Sequence, residues 1–309
     1  MYDIYVVAGP TASGKTAVAV ELAKAIGGEV VSADSMLVYR EMDIGTAKPT
    51  EEEKQGIPHH LIDACCPSEP FSVARYKKLA DEAITNVLSR GKIPILAGGT
   101  GYYINAVLYD AKFEEVDTAL TDKLRGQFLH EASLHGAKFI HDKLHKVDPV
   151  SANQIHQNNV QRVCAALVHF YLTGVMFSVH NKLQKSKPLK WNTGFFLLEY
   201  PRAELYERIN ARTIKMFEAG FIDEVKSLLS NGYGETKPMQ GIGYKETAQL
   251  LEEQCTYDEM IASIQQATRN YAKRQITWFK NQVPWAKRVQ ASKISANQIA
   301  EEIKCSTST

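Results

Sequence analysis

The feature that most constrains this chain is a glycine-rich segment near its start, Gly9-Pro10-Thr11-Ala12-Ser13-Gly14-Lys15-Thr16. It fits the pattern G-x-x-x-x-G-K-[ST], follows a short β-branched run at 4–8 and opens a helical pattern that continues to about residue 26. In that context backbone N–H groups converge on phosphate oxygens, with a helix N-terminus behind them. The sequence therefore predicts a phosphate-binding loop, in which Lys15 contacts the terminal phosphates and the Thr16 hydroxyl coordinates Mg²⁺.

Strands alternate with helices along the N-terminal part of the chain, which is typical of a parallel, doubly wound sheet. Strands are predicted at 4–8, 29–32, 93–97 and 195–200, and helices at 73–90, 203–230 and 256–282. From about 115 to 190 the strand signals fade and the pattern becomes helical. We therefore predict an α/β fold with two parts. Residues 1–114 and 191–309 form a P-loop NTPase-like core with a parallel sheet, and residues 115–190 form a helical insertion domain.

Composition excludes several classes of protein. With 44% hydrophobic and 23% charged residues among 309, the chain is neither disordered nor collagen-like. No apolar run reaches the roughly 18 residues of a membrane span, and the first residues are not typical of a secretory signal. Five scattered cysteines indicate reduced thiols, so a cytoplasmic location is expected. The adjacent pairs His59-His60 and Cys65-Cys66 lack the spacing of a zinc site.

Charge is balanced overall, with 36 Lys and Arg against 35 Asp and Glu, but it is not balanced along the chain. The stretches 149–198 and 261–300 contain no acidic residue, and the second interleaves aromatic residues with basic ones. Such a pattern suits a polyanionic partner such as nucleic acid, because basic groups neutralise phosphates and aromatic rings stack on bases. Solvated helix faces whose acids lie elsewhere in the chain also explain it.

A carboxylate, Asp34, follows the second predicted strand, at the carboxyl edge where open α/β sheets bind ligands. P-loop proteins commonly carry an Asp after another apolar strand, but here the strand at 93–97 ends in Gly98-Gly99-Thr100. Asp34 is a candidate to accept a proton from a nucleophile. As a residue type it serves equally well as a turn residue or a helix cap.

Segments along nearly the whole chain resemble the tRNA dimethylallyltransferase family, also called tRNA isopentenyltransferases. They are residues 9–16, Asp34-Ser35-x-x-x-Tyr39, MDIGTAKP at 42–49, PHHLID at 58–63, GGTG at 98–101, GYK at 243–245 and KRQITWF at 273–279. The resemblance implies transfer of a dimethylallyl group from dimethylallyl diphosphate to N6 of the adenosine just 3′ of the anticodon, at tRNA position 37. It implies Mg²⁺ as cofactor and the tRNA anticodon stem-loop as partner, embraced by the insertion, with no membrane and no obligate protein partner.

The resemblance also implies roles for individual residues. The diphosphate site comprises Gly9, Thr11, Ala12, Ser13, Gly14, Lys15, Thr16, Arg208 and Arg212, with the metal at Thr16. The implied catalytic group comprises Asp34 as the base for the adenine amine, Thr100 beside the adenine, and Lys15 and Arg212 at the leaving group. The implied RNA contacts are Asp34, Ser35, Met36, Leu37, Thr100, Arg125, Gln161, Arg162, Val163, Cys164, Ala165, Gln240, Gly241, Ile242, Gly243, Tyr244, Lys245, Lys273 and Arg274.

The chain departs from the family pattern at Leu37, where many members have Gln, and at Ala165, where the pattern has a second Arg. One RNA contact is therefore expected to be missing, whereas the chemical centre is intact. The residues themselves leave two other classes open. One is a small-molecule P-loop kinase, in which ATP fills the loop and Asp34 activates a substrate hydroxyl. The other is a nucleotide-dependent RNA-binding switch. A kinase predicts a short Arg-bearing lid rather than a long helical insert whose second half, from 149 onward, lacks acidic residues.

Overall fold

The computed structural model describes residues 2–111, 118–185 and 187–306, and the chain divides into two compact units. Unit 1 comprises Met1–Leu108 with Lys190–Thr309, and unit 2 comprises Tyr109–Leu189. The predicted boundary at 114/115 lies outside the described residues, and unit 1 resumes one residue before the predicted return at 191. Each unit contains a hydrophobic core of its own.

The described part of unit 1 contains a parallel sheet of six strands: β1 (Ile4–Ala8), β2 (Gly28–Ser32), β3 (His59–His60), β4 (Ile93–Gly98), β5 (Thr193–Glu199) and β6 (Lys287–Gln290). Their order is β3-β2-β4-β1-β5-β6, with Val6 of β1 aligned with Leu96 of β4 and Phe195 of β5. The predicted α/β class with a parallel sheet is therefore confirmed. The sequence does not predict β3 and β6, because strands this short carry no readable periodicity.

The helices are α1 (Lys15–Ile26), α2 (Glu51–Lys54), α3 (Val73–Ser89), α4 (Gly101–Leu108), α5 (Thr118–His135), α6 (Ala137–Val147), α7 (Pro149–Gln154), α8 (Val160–Thr173), α9 (Phe177–Lys185), α10 (Arg202–Glu218), α11 (Phe221–Ser230), α12 (Tyr244–Leu251), α13 (Tyr257–Gln282) and α14 (Ala296–Cys305). A short 3₁₀ turn covers Lys237–Gln240. Every residue of β1 is buried, as expected of a parallel sheet with both faces covered. Helices α1 and α14 share one core with side chains of β1, β2, β4, β5 and β6.

The single long helix predicted at 203–230 is wrong, because the structure has two helices there, α10 and α11. Gly220 separates them with a φ of 95°, a left-handed conformation that costs glycine little and ends a helix. The amphipathic pattern continues across the break, so periodicity alone does not reveal it. A capping box begins α13, since Thr256 Oγ1 accepts from the Glu259 N–H and the Glu259 carboxylate accepts from the Thr256 N–H.

Unit 2 is helical in its described part and comprises α5 to α9. Its core includes Phe128, Ile140, Leu144, Val163 and Leu167. Asp148, which is buried, accepts hydrogen bonds from the backbone N–H and the hydroxyl of both Ser151 and Ser178 and so ties α7 to α9. Among the described residues, no single helix is long and apolar enough to span a membrane. Val160–Thr173 and Phe177–Leu183 reach that length and composition only as a pair bent by 87°.

A buried carboxylate near the start of β2 offers a test of stability against pH. Glu29 is 3% exposed, accepts two hydrogen bonds from Arg90 at 2.6 and 2.7 Å, and lies 2.8 Å from His60 Nε2. The Arg90 guanidinium, assisted by His60, holds the pKa of Glu29 at about 2, against an ordinary value of 4.5. A depressed carboxylate pKa contributes stability that is complete above the ordinary value and is lost as the pH falls toward the folded value.

We therefore expect Glu29→Gln to lower the free energy of unfolding at pH 7 by about 2 kcal/mol, allowing for solvent screening of the half-exposed Arg90. The difference from the wild type should shrink as the pH falls from 4.5 towards 2. Urea unfolding followed by circular dichroism at several pH values measures it. Glu82→Gln, which alters an exposed carboxylate of α3, is the control. If the difference in the free energy of unfolding stayed constant down to pH 3, the low pKa assigned to Glu29 would be contradicted.

Candidate active site

The loop between β1 and α1 has the backbone shape of a phosphate cradle. Ala12 and Gly14 have φ values of 62° and 74°, and the helix begins directly afterwards at Lys15. Left-handed residues within such a loop turn successive N–H groups toward one side, where they form a concave site for an anion. The Lys15 ammonium folds over the loop and donates to the carbonyl of Pro10 at 2.7 Å. The predicted loop thus lies at the N-terminus of α1, where the helix dipole favours negative charge.

Three charged side chains converge on this loop. Burial lowers the pKa of Lys15 to about 8, while Asp34 acts in the opposite direction and Arg212 adds to the lowering. Burial also lowers the pKa of Arg212, again opposed by Asp34. The Arg212 guanidinium donates to Thr11 Oγ1 at 3.4 Å and to the carbonyl of Thr46 at 3.1 Å. Two desolvated cations beside one carboxylate leave an excess of positive charge, which suits a polyanionic ligand.

Arg208 contacts the same loop from another side, and Thr16 follows the loop at the start of α1. Arg208 is exposed, and its Nε donates to the carbonyl of Ala12 at 2.9 Å while the guanidinium lies 4.8 Å from the centre of the Tyr200 ring. Thr16 is in the first turn of α1, directly after Lys15. Among the described residues no group of three or more His, Cys, Asp or Glu side chains is arranged to hold a metal ion. A divalent cation here would therefore take the Thr16 hydroxyl and oxygens of a bound ligand, which are the donors that hard cations prefer.

Asp34 and Thr100 meet at the carboxyl ends of the neighbouring strands β2 and β4. The Thr100 N–H donates to the carbonyl of Ala33 at 3.1 Å, and the Ser35 N–H donates to Thr100 Oγ1 at 3.2 Å. The Met36 N–H donates to Asp34 Oδ1 at 2.8 Å, which is an Asx-type turn. Asp34 is thus a turn residue, one of the two roles that the sequence leaves open for it. It also lies close enough to Lys15 and Arg212 for its carboxylate to act on the pKa of both. Parallel strands end at one edge of a sheet, so the fold brings these side chains together.

Gln275 of α13 joins the two halves of the site, and sequence reasoning missed it. The Thr11 N–H donates to Gln275 Oε1 at 2.8 Å, and Gln275 Nε2 donates to the carbonyl of Gly99 at 2.9 Å. The side chain is 7% exposed. A Cβ on Gly99 would lie 2.3 Å from Gln275 Nε2, so only glycine permits this approach. The available signal was its helical spacing with Ala272 and Phe279, which places a polar residue on the buried face of α13.

Two of the segments expected to contact RNA lie side by side in unit 1. A Cβ on Gly241 would lie 3.1 Å from Met36 Cε, so the turn at 240–243 packs against the segment that follows β2. Gln240 and Lys245 are exposed. Partly exposed members of the two segments are Asp34, Ser35, Met36, Leu37, Gly241 and Ile242. On α13, the side chains of Lys273 and Arg274 are exposed as well.

Tyr244 is a correction to the expected RNA contacts. Its side chain is 1% exposed, and its hydroxyl donates to Glu224 Oε1 at 2.8 Å. Burial and the Glu224 carboxylate together raise its pKa far above the ordinary value. Gly243 is also buried and has a φ of 95°, which glycine adopts readily. The side chain of Tyr244 therefore supports the turn from inside rather than facing a ligand.

The expected contacts of unit 2 also need correction. Val163 and Cys164 have no exposed surface and belong to the hydrophobic core of unit 2. Burial raises the pKa of the Cys164 thiol, and Arg125 opposes that shift, so Arg125 lies near α8. Arg125, Gln161 and Arg162 are exposed, and Ala165 is partly exposed. Because Val163 and Cys164 belong to the core while Gln161 and Arg162 are exposed, only part of the segment 161–165 presents side chains to a partner.

Comparison with known proteins shows which family this chain resembles. Residues 37–282 match the family model described as IPP transferase. The tRNA dimethylallyltransferase of Acetivibrio thermocellus is 46% identical over 281 residues, which cover 91% of this chain and 89% of that protein. The tRNA dimethylallyltransferase of Lachnoclostridium phytofermentans is 44% identical over 283 residues, covering 91% and 90% of the two chains.

Solved structures agree with the sequence relatives. The full-length tRNA isopentenylpyrophosphate transferase of Bacillus halodurans superposes with a TM-score of 0.72 at 40% identity, covering 99% of this chain and 95% of that one. A eukaryotic dimethylallyltransferase, solved in crystallographic snapshots of its action on tRNA, has a TM-score of 0.75 at 28% identity, covering 94% and 74%. Since the family model spans most of the chain and relatives more than 40% identical match about nine-tenths of it, this protein belongs to the tRNA dimethylallyltransferase family of prenyltransferases.

Proposed function

We propose that this protein transfers a dimethylallyl group from dimethylallyl diphosphate to N6 of the adenosine at tRNA position 37. The observation that carries the proposal is the convergence of the phosphate-binding loop, partly buried Arg212 and Asp34 at one sheet edge. The diphosphate lies on the N–H groups of the loop, with Lys15 and Arg212 beside it. These cations stabilise the negative charge that develops on the leaving oxygen as the carbon–oxygen bond breaks.

Asp34 is assigned as the base. The lone pair of the adenine amine is delocalised into the ring, so N6 is a weak nucleophile until its proton is accepted. In the transfer, N6 forms a bond to C1 of the prenyl group, the C1–oxygen bond breaks, diphosphate leaves and the N6 proton passes to Asp34. Oδ1 of Asp34 is used in the turn with Met36, so Oδ2 is the oxygen that we assign to the amine. Thr100, which is bonded to the same turn, is assigned to orient the adenine.

Tyrosine rings supply apolar surface next to the base. Burial raises the pKa of Tyr103 and Tyr271 to about 12, and the Asp34 carboxylate adds to both shifts. We assign the five-carbon chain to these ring faces, which also favour the partial positive charge on the allylic carbon. A largely apolar cavity of about 340 Å³ in unit 1 is not assigned to the prenyl group. Its lining includes Pro10, Leu198, Tyr200, Leu205, Ile276 and Phe279, but neither Asp34 nor Thr100.

Mg²⁺ is the divalent cation that we propose, held by the Thr16 hydroxyl and diphosphate oxygens. Oxygen ligands and an incomplete protein shell suit this ion, which commonly binds through substrate phosphates. When bound, it supplies further neutralisation of the leaving diphosphate.

Arg208 is assigned to the outer wall of the diphosphate site, where its guanidinium donates a hydrogen bond to the Ala12 carbonyl. We also propose a cytoplasmic location, in which the scattered cysteines remain reduced.

The tRNA anticodon loop is the proposed second substrate. The target base must leave its stack to reach Asp34, and unpaired loop bases are the ones that proteins read in this way. Exposed side chains on both units are assigned to the RNA: Arg125, Gln161, Arg162, Gln240, Lys245, Lys273 and Arg274. Because several of them are cationic, RNA affinity should fall as salt concentration rises.

Labelled dimethylallyl diphosphate tests the proposed reaction. The protein, Mg²⁺, the labelled compound and an anticodon stem-loop with adenosine at position 37 are incubated together, and label in the RNA is expected. A stem-loop with purine riboside at that position lacks the amine and should remain unlabelled. Parallel reactions with labelled ATP and hydroxylated metabolites address a kinase. Phosphate transfer from ATP without any label in the RNA would overturn the proposal.

Gln275 provides a test of how the site is held together. Gln275→Leu leaves the Thr11 N–H and the Gly99 carbonyl without their partner, at a cost on the order of 1–3 kcal/mol. We expect kcat/KM for dimethylallyl diphosphate to fall about 10- to 100-fold. Gln275→Glu keeps an acceptor for Thr11 but places a carboxylate oxygen against the Gly99 carbonyl and beside the diphosphate site, so its kcat/KM should fall at least as far. Gln266→Leu alters an exposed glutamine of the same helix and is the control. Equal kinetics for the Gln266 and Gln275 variants would exclude this role.

A further inference from the structure

A glutamate outside the proposed catalytic group collects an unusual number of donors. Glu224 of α11 accepts hydrogen bonds from the backbone N–H groups of Asp43, Ile44 and Gly45, at 2.8, 2.6 and 3.1 Å. A fourth comes from the Tyr244 hydroxyl at 2.8 Å. Successive N–H groups that converge on one anion form a backbone nest. Here the anion is a side chain of the same protein, so the carboxylate holds the loop at 43–45 on the surface of α11.

The loop that Glu224 holds leads directly to Arg212. Thr46 is the next residue after the nest, and its carbonyl accepts the hydrogen bond from Arg212 Nη2 at 3.1 Å. The Thr46 hydroxyl donates to the carbonyl of Met42 at 2.6 Å, which closes the loop on itself. The orientation of the Arg212 guanidinium therefore depends on the carbonyl of Thr46 as well as on Thr11 Oγ1.

Packing independently indicates that the loop must lie close to α11. A Cβ on Gly45 would lie 2.3 Å from the Phe221 ring and 2.6 Å from the Tyr244 ring. These two rings meet edge to face with centroids 5.0 Å apart. Any side chain at position 45 would push the loop away from its aromatic support, because the rings are buried and have no space into which to move.

We propose that Glu224 is a positioning residue for the diphosphate site, which acts on Arg212 through the loop at 42–46. The inference rests on the proposed function, since Arg212 is assigned there to the diphosphate. Glu224 neutralises three N–H dipoles that would otherwise need water, and it thereby keeps the Thr46 carbonyl aimed at the guanidinium. A guanidinium that is already oriented loses less rotational freedom when a diphosphate binds.

Binding of inorganic pyrophosphate in the presence of Mg²⁺, measured by titration calorimetry, tests the proposal without RNA or turnover. Glu224→Gln retains the shape but loses the charge and one acceptor, so we expect pyrophosphate to bind about tenfold more weakly, the scale of a lost charge-assisted hydrogen bond. Tyr244→Phe removes one donor but leaves the Glu224 carboxylate in the nest, so its affinity for pyrophosphate should fall by less than that of Glu224→Gln. Asp223→Asn alters an exposed carboxylate of the same helix and should bind as the wild type does.

The Arg212→Ala background separates positioning from general stability. If Glu224 acts through Arg212, Glu224→Gln should cause no further loss of pyrophosphate affinity once Arg212 is absent. A merely structural role would weaken binding equally in both backgrounds, and that outcome would overturn the proposal. Gly45→Ala, which leaves every charge in place, should reproduce the tenfold loss. It therefore serves as the second variant if Glu224→Gln folds poorly.

The experiment also distinguishes failure of this inference from failure of the proposed function. Tight wild-type binding of pyrophosphate together with unchanged binding by Glu224→Gln and Gly45→Ala refutes the positioning role and leaves the prenyl transfer standing. A wild-type protein that modifies RNA poorly and binds pyrophosphate no better than Arg212→Ala refutes the assignment of the diphosphate site itself.

Discussion

Replacement of Asp34 by Asn is expected to lower kcat for RNA prenylation by about 10³-fold, within the range of a lost general base. The amide oxygen of Asn can still accept from the Met36 N–H, so the turn that places residue 34 is retained. Pyrophosphate should bind as tightly as before or up to about threefold more tightly, because one negative charge beside Lys15 and Arg212 has been removed.

Single-turnover reactions with labelled dimethylallyl diphosphate and calorimetric binding of pyrophosphate measure the two quantities separately. Asp34→Ala is the companion variant, since it removes both the base and the acceptor of the turn. Asp34→Ala should lower kcat as much as Asp34→Asn does. Because it also removes the acceptor of the turn, its affinity for RNA should fall as well. Turnover of Asp34→Asn within tenfold of the wild type would remove Asp34 as the base.

Replacement of Lys15 by Met is the second change with a large expected effect, and it should impair the use of dimethylallyl diphosphate. Met nearly preserves the length of the side chain but removes a partly buried charge that lies on the loop. We expect kcat/KM for dimethylallyl diphosphate to fall about 10³-fold, a loss of about 4 kcal/mol of transition-state stabilisation. The dissociation constant for the anticodon stem-loop should change less than about threefold, because an enclosed charge contributes little to the salt-dependent contacts with RNA.

The control for Lys15 is Lys24→Met, which removes a more exposed ammonium from the other end of α1. Steady-state kinetics with dimethylallyl diphosphate and filter binding with the stem-loop give the comparison. If Lys15→Met lost RNA affinity and kept its kinetics with the diphosphate, the loop would be a site for RNA rather than for the leaving group.

Asp34 and Lys15, the residues of these two predictions, were both identified from the sequence. The topology of the fold explains why this was possible. Lys15 and Thr16 sit in a motif whose spacing has one structural solution, and Asp34 and Thr100 follow strands of a parallel sheet. Parallel strands deliver their carboxyl ends to one edge, so residues far apart in the chain meet there. The position of Asp34 after a strand is enough to expect it at that edge, whereas the family resemblance is what implies Thr100 there.

Motif membership did not reveal which side chains face outward. Tyr244, Val163 and Cys164 lie in segments that resemble RNA-binding strings, yet their side chains are buried. A matched motif contains residues that contact a ligand and residues that support the backbone. The residue types alone do not show which are which. Only packing shows which of them has exposed surface. The break at Gly220 was hidden for a similar reason, because the apolar pattern runs across it.

The sequence by itself determined the phosphate-binding loop, the α/β class and the place of Asp34 after a strand, because the spacing and alternation of elements along the chain encode them. Its longer motifs carried the family resemblance. The tertiary structure alone decided the partners of Gln275 and Glu224, since each bonds to backbone groups more than 170 positions away. The residue type of a polar side chain is the same in the sequence whether that side chain faces water or holds a loop in place. Its role depends on which donors and acceptors the fold brings within about 3 Å of it, the ordinary hydrogen-bond distance.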